Sequence, residues 1–357
     1  MKNIVKILFS FLTAGALITS VNAGELSVTG TAKATYNIIG SDDTAAASEA
    51  GKGLGIANEF HLGASGELDN GMSWNYKISM DPNNTAGGTN GEVQNDDSSL
   101  TLSTDYGTIG IFVKAGGLDV DNTASQSVYG RPSDTGYGED MVDEYGIDAY
   151  SSVQWHSPAG MLPYSTTIKI GHAPSRSGDH DSSNGSASRN GAGTDNGTQT
   201  AYQIKTVPMD GMGLGLSYNV IDGANAAEAA GQKAESGSIY ATYAVGSFSL
   251  GASVTRRAEA MPEQAAGTAD VRGYNNNKAS VAFNVNDNLS VSYERERSSR
   301  EQNVDGTDEF DIQSHGIQAA YTMGGMTLAV SRIEHENAGY TENKDAHNTI
   351  FAATMAF

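Results

Sequence analysis

The sequence predicts an all-β fold, a transmembrane antiparallel β-barrel of about 16 strands. Three observations carry this expectation. Beyond the first 24 residues, long polar segments and very short turns follow one another in strict succession through fifteen connections. The runs between them alternate apolar and polar residues with a period of two, as half-buried strands do. Eight long connections therefore fall at one end of the sheet and seven short ones at the other, an asymmetry that an ordinary soluble domain has no reason to keep.

The chain opens with a secretory signal over residues 1–23. Lys2 and Lys6 supply the positive start, residues 7–18 the apolar core, and Val21-Asn22-Ala23 the small-residue cleavage site. An apolar run of about a dozen residues is too short for a membrane-spanning helix, which needs about 20. Residues 24–357 then form one barrel domain.

Its long connections are expected near 40–53, 82–97, 115–146, 174–197, 221–236, 258–273, 298–309 and 336–346. The short turns are expected near 68–71, 104–107, 157–162, 208–211, 246–247, 286–288 and 323–325. In the first strand Leu26, Val28, Ala32, Ala34, Tyr36 and Ile38 alternate with Ser27, Thr29, Thr31, Lys33, Thr35 and Asn37. The third sets Trp74, Tyr76, Ile78 and Met80 against Ser73, Asn75, Lys77 and Ser79. Later runs repeat the scheme, as in Phe248, Leu250, Ala252 and Val254 against Ser249, Gly251, Ser253 and Thr255. Asp69-Asn70-Gly71, Pro208-Met209-Asp210-Gly211 and Asn286-Asp287-Asn288 carry the residues that tight hairpins require.

Composition narrows the function. No cysteine is present, so no disulfide framework holds the fold. The formal charge is −21 and becomes −23 once the two signal lysines are removed. Such acidity argues against nucleic acid as a partner, since that binding depends on neutralising phosphates. The last residues, NTIFAATMAF, place Phe351, Ala353, Met355 and Phe357 on one face and end on an aromatic residue.

This ending resembles the assembly signal of bacterial outer-membrane barrels. With the signal peptide, the strand number and an outsized third long connection, residues 24–357 resemble the Gram-negative general diffusion porins, especially the alphaproteobacterial type. The resemblance implies a homotrimer of water-filled barrels in contact with outer-membrane lipid, passing small hydrophilic solutes and ions. It also implies that the third loop, 115–146, folds inward to constrict each pore.

In that family, acids on the inward loop oppose basic residues on the wall. Here the loop carries Asp119, Asp121, Asp134, Glu139, Asp140, Asp143 and Glu144, offset by Arg131. Lys33, Lys77, Lys114, Lys169, Lys205 and Lys278 all fall on the polar parity of their strands; Lys33, Lys77 and Lys114 are the expected core of the basic wall, lysines in place of an arginine cluster. The acid excess predicts mild cation preference. Arg256, Arg295, Arg297 and Arg332 fall on the outward parity near the long-loop ends of strands eleven, thirteen and fifteen. A charge there costs roughly 0–1 kcal/mol against roughly 2–4 at mid-membrane, and lipopolysaccharide phosphates would match the guanidinium forks.

No catalytic residues are expected. GxSxG and HExxH are absent, and Gly51-Lys52-Gly53 lacks P-loop spacing. Asp179-His180-Asp181 sits in a Ser/Gly/Asn-rich loop, where a solvated tip is the simpler reading. Asp305-Gly306-Thr307-Asp308-Glu309 offers oxygens of the kind Ca²⁺ takes but lacks the EF-hand register, so neither cofactor nor metal is expected. An exported β-rich surface adhesin or structural protein, and an outer-membrane barrel hydrolase, stay open as other classes. Neither gives a reason for the third connection to be the longest.

Overall fold

A computed structural model describes residues 24–41, 51–82, 93–135, 141–176, 180–181, 188–189, 197–223, 231–261, 271–303 and 310–357. The expected signal peptide, Glu139, Asp140, Asp179 and the 305–309 acid cluster lie outside the described residues.

Sixteen antiparallel strands close into one barrel. In chain order they are β1 (Glu25–Ser41), β2 (Gly51–Glu67), β3 (Ser73–Pro82), β4 (Val93–Thr104), β5 (Gly107–Val113), β6 (Ser151–His156), β7 (Thr167–Ala173) and β8 (Thr198–Met209). The second half comprises β9 (Met212–Asp222), β10 (Glu235–Val245), β11 (Phe248–Ala258), β12 (Val271–Asn284), β13 (Leu289–Gln302), β14 (Ile312–Met323), β15 (Met326–Glu336) and β16 (Ala346–Ala356). Each pairs with its chain neighbours, and β1 pairs with β16 to close the ring, Thr31 opposite Ala356 through Ser41 opposite Ala346. Phe357 extends the seam: its N–H donates to the Gly30 carbonyl at 3.0 Å and its carbonyl accepts from the Gly30 N–H at 2.8 Å. Closure leaves no seam edge for lipid to leave unsatisfied.

Parity survives the full circuit. Lys33 faces Ala57 on β2 and Thr354 on β16, and the residues between, such as Lys77, Ser253, Glu296 and Ser331, share one face. Ile239 and Ile317 on the other face are 68% and 66% exposed, whereas Gln199 and Glu296 on the first are fully buried. This is the reverse of a soluble domain, and it is the arrangement that lipid outside and polar contacts inside demand. The apolar clusters are internal too, lying between the wall and a long segment inside the barrel.

Most short turns form where expected. Gly71 and Gly211 adopt φ of 81° and 78°, the left-handed values that need glycine. Asn286 closes its turn by accepting from the N–H groups of Asn288 (2.9 Å) and Leu289 (3.0 Å). One turn is longer than expected: β6 ends at His156 and β7 begins at Thr167. Pro158 and Pro163 lack ladder donors, Tyr164 and Ser165 sit at positive φ, and the Tyr164 carbonyl instead accepts from Val207 N–H on β8 at 2.8 Å.

Candidate functional site

Between β5 and β6 the described residues, 114–135 and 141–150, leave the rim and run inside the barrel. The outward limb, 116–134, crosses the inner wall strand by strand, and nearly every strand meets it with one polar side chain. Gln154 on β6 donates to the Gly116 carbonyl (2.7 Å), and Gln203 on β8 to the Leu118 carbonyl (3.1 Å). Val120 N–H donates to Ser217 on β9 (3.1 Å), and Ser253 on β11 donates to the Asp121 carbonyl (2.8 Å). Ser280 on β12 donates to the Ala124 carbonyl (2.9 Å) and accepts from Gln126 N–H (3.0 Å). Val128 N–H reaches Ser292 on β13, and Tyr129 N–H reaches Gln318 on β14, each at 3.0 Å. The returning limb recrosses the same wall: Asn276 donates to the Val142 carbonyl, Arg257 to that of Asp143, and Tyr145 N–H donates to Ser236.

Apolar residues set the spacing between the polar contacts. Leu118 and Ile147 pack with Ala173 and Ala201, Val120 and Ala124 with Tyr240, and Tyr129 against Ile333, Ile350 and Ala352. At Gly251 the wall gives way altogether, for a Cβ there would stand 1.7 Å from the Ala124 carbonyl oxygen.

Charge ties the far bend. Lys278 Nζ lies 2.7 Å from Asp143, 3.6 Å from Asp121 and 4.0 Å from Glu296, and donates to Asn122 at 2.8 Å. Arg131 holds Asp134 through two nitrogens and reaches Asp143 at 3.2 Å and Glu296 at 3.3 Å. Burial pushes the Asp121 carboxyl up to about 7 against the pull of Lys278, with Asp143, Asp119 and Glu144 adding to the rise. Burial works on Asp143 in the same direction, but Lys278 and Arg131 outweigh it and hold that carboxyl below its usual value. Glu144 is buried and raised by burial, with Ser217 (2.7 Å) and Asn219 (2.8 Å) donating to it.

Of the seven expected loop acids, the structure thus joins Asp121, Asp134 and Asp143 to loop and wall cations, and Glu144 to neutral wall donors. Asp119 is partly exposed. Among the wall lysines, Lys278 lies under the loop, and Lys33 Nζ sits 5.6 Å over the Tyr129 ring. Lys77 is exposed on the inner face, Lys114 follows β5 at φ 51°, and Lys205 stands 6.0 Å over Tyr240. Lys169 lies on β7 opposite Gln203 and His156. Glu294 and Glu296 escaped the sequence reading because a Glu on a polar strand face looks like an ordinary solvated charge. Here Glu294 accepts from Ser125 (2.5 Å) and Ser127 (2.7 Å), and Glu296 from the Ser133 N–H (2.7 Å).

Arg256, Arg295, Arg297 and Arg332 all point outward and are exposed. Arg295 donates to Gln313, Arg297 pairs with Asp311, and Arg332 pairs with Glu334 at 3.2 Å, whereas Arg256 donates to the Thr255 carbonyl at 2.9 Å. Among the described residues no group of three or more His, Asp or Glu is placed to hold a metal ion.

The Gram-negative porin family model matches residues 12–346. No curated protein matches the sequence. Among solved structures, OmpF of Salmonella typhi in complex with daunomycin is similar with a TM-score of 0.67 at 12% identity, covering 94% of this chain and 98% of its own. The anion-selective porin of Comamonas acidovorans gives 0.64 at 12% identity, covering 94% and 100%. OmpT of Vibrio cholerae in its trimer form gives 0.57 at 12% identity, covering 94% and 100%.

Proposed function

The chain belongs to the Gram-negative porin family, and from that premise we propose how its channel is narrowed and charged. It is an outer-membrane channel for passive diffusion of small hydrophilic solutes and ions. The loop 115–146 constricts it. One observation carries this reading: the ribbon is fixed to the wall from β6 to β14, which leaves the arc from β15 and β16 through β1 to β5, with Lys33, Lys77 and Lys114, as the side open to a water path. Asp119 and Asp134, with Glu139 and Asp140, supply the opposing acids and a mild cation preference. Asp121, Asp143 and Glu144 serve chiefly to hold the loop in place. Opposed charges across a narrow aqueous path orient dipolar solutes.

The channel works without a catalytic step or cofactor. Its protomers assemble as a homotrimer, supported by family membership and by the trimeric form of the similar OmpT. Residues 1–23 are removed on export, which the intact mass of the outer-membrane form checks. The outward arginines face lipopolysaccharide. Planar-bilayer recording tests the whole reading: conductance steps grouped in threes and a cation-directed reversal potential in a salt gradient are expected. Ungrouped steps with an anion-directed potential would refute both the trimer and the charge assignment.

A further inference from the structure

Resting on the reading of this chain as a channel, the inner wall below the anchored ribbon carries cations that the constriction does not use. Gln154 on β6 and Gln203 on β8 hold the ribbon at Gly116 and Leu118. Two residues further along the same inner face, toward the short-turn end, stand His156 and Lys205. Lys169 on β7 lies between them, in register with His156 on one side and Gln203 on the other. The three form one basic row just beneath the ribbon, and the field of Lys169 reaches both His156 and Lys205.

The two lysines of this row are not neutralised. Among the described residues neither ammonium has a hydrogen-bond or ion-pair partner, whereas Lys278 shares its own with Asp143, Asp121 and Glu296. Asp119, on the ribbon above, acts on Lys205 through its field and without an ion pair. Gly215 lies opposite Lys205, and the Tyr240 ring crosses the wall there, where a Cβ would meet it at 2.4 Å. Lys205 Nζ stands 6.0 Å over that ring, a contact that steadies the ammonium without occupying its N–H donors. At the other end of the row His156 is held in place, stacked on Phe112 at 5.6 Å between centroids and bonded through Nε2 to Gln154 at 3.0 Å. Both lysines are partly exposed, so a solute in the lumen reaches them.

We propose that Lys169 and Lys205 form a seat for inorganic phosphate in its dianionic form, on the short-turn side of the constriction. Two neighbouring ammoniums with open donors match both the charge and the several acceptor oxygens of that ion. A monovalent anion gains much less from the pair, because its single charge offsets only one of the two. The seat has the opposite sign to the ribbon acids, so a phosphate that has passed the constriction meets an attractive station beyond it.

The test uses the purified full-length barrel in detergent micelles at mildly alkaline pH, with inorganic phosphate as the probe and phosphorus NMR line broadening as the readout. K169Q/K205Q should bind about tenfold more weakly, as expected for loss of charge-assisted contacts. K33Q/K77Q, altered on the arc open to the water path, should bind phosphate as wild type does. K169R/K205R keeps both charges and should stay close to wild type, which separates lost charge from a lost fold. Nitrate at equal ionic strength should not displace the phosphate. Equal binding by K169Q/K205Q and wild type, equal losses in K33Q/K77Q and K169Q/K205Q, equal losses in the Arg and Gln variants, or displacement by nitrate would each overturn the proposal. Single-channel conductance separates this from the channel reading: K169Q/K205Q should still conduct, and failure of the channel reading would appear as absent conductance in every variant.

Discussion

Lys278 on β12 sets its ammonium 2.7 Å from Oδ1 of Asp143 on the returning limb of the inner loop, so wall and loop are joined by an ion pair inside the barrel. Asp121 and Glu296 share the same ammonium, and their mutual repulsion is tolerable only while it is present. Lys278→Met keeps the volume and strands three carboxylates, with Arg131 alone to compensate. Breaking a buried pair from one side costs roughly 3–5 kcal/mol. Guanidinium unfolding in detergent micelles should show that loss, and K278M/D143N should recover part of it. A K278M midpoint equal to wild type would mean that the cluster does not anchor the loop.

Asp121 makes this anchor sensitive to pH. Its folded value, about 7, lies above the ordinary 3.8. The stabilisation from its neutral form is therefore complete below the ordinary value and is lost as pH rises through about 7. Asp143 runs the other way, contributing above its ordinary range and failing as pH falls through its lowered one. Between about pH 5 and about pH 8 the Asp121 effect dominates, so loop-derived current noise should grow with pH. Asp121→Asn mimics the neutral acid and should flatten that dependence; a persisting slope would assign the noise to another group.

Gly251 allows the ribbon to lie flat, because the Ala124 carbonyl occupies the space that its side chain would fill. Gly251→Val should push residues 122–126 off the wall and into the water path. Single-channel conductance should fall, with the strand content seen by circular dichroism unchanged. Unaltered conductance would show that the ribbon does not border the path at Ala124.

The loop acids should separate into two kinds. D119N/D134N should move the reversal potential toward anions at low ionic strength, where screening is weakest. Glu144→Gln, at a site held by Ser217 and Asn219, should leave it in place. The opposite pattern would mean that the anchoring carboxylates, not the partly exposed ones, set selectivity.

The barrel was legible in sequence because alternation and turn chemistry are local: Leu26 through Ile38 declare a strand without reference to any other part of the chain. The closing pair β1–β16 followed from the need to leave no open edge in lipid. The fixing of the inner loop was not legible. Ser217, Ser253, Ser280 and Ser292 occupy inward positions that look identical whether they meet water or a loop backbone. Nor could parity alone reveal that Lys278 is buried under acids while Lys77 stays exposed. Those distinctions depend on which wall strands the ribbon crosses, a long-range property that no short window contains.

The proposed constriction rests on residues 116–135 and 141–145, which lie inside the barrel. Replacing residues 118–147 with a short Gly-Ser link leaves every strand pair intact, and single-channel conductance in a planar bilayer then reads the width directly. The account predicts a rise of about twofold or more, with weakened selectivity. Conductance and reversal potential unchanged from wild type would contradict it.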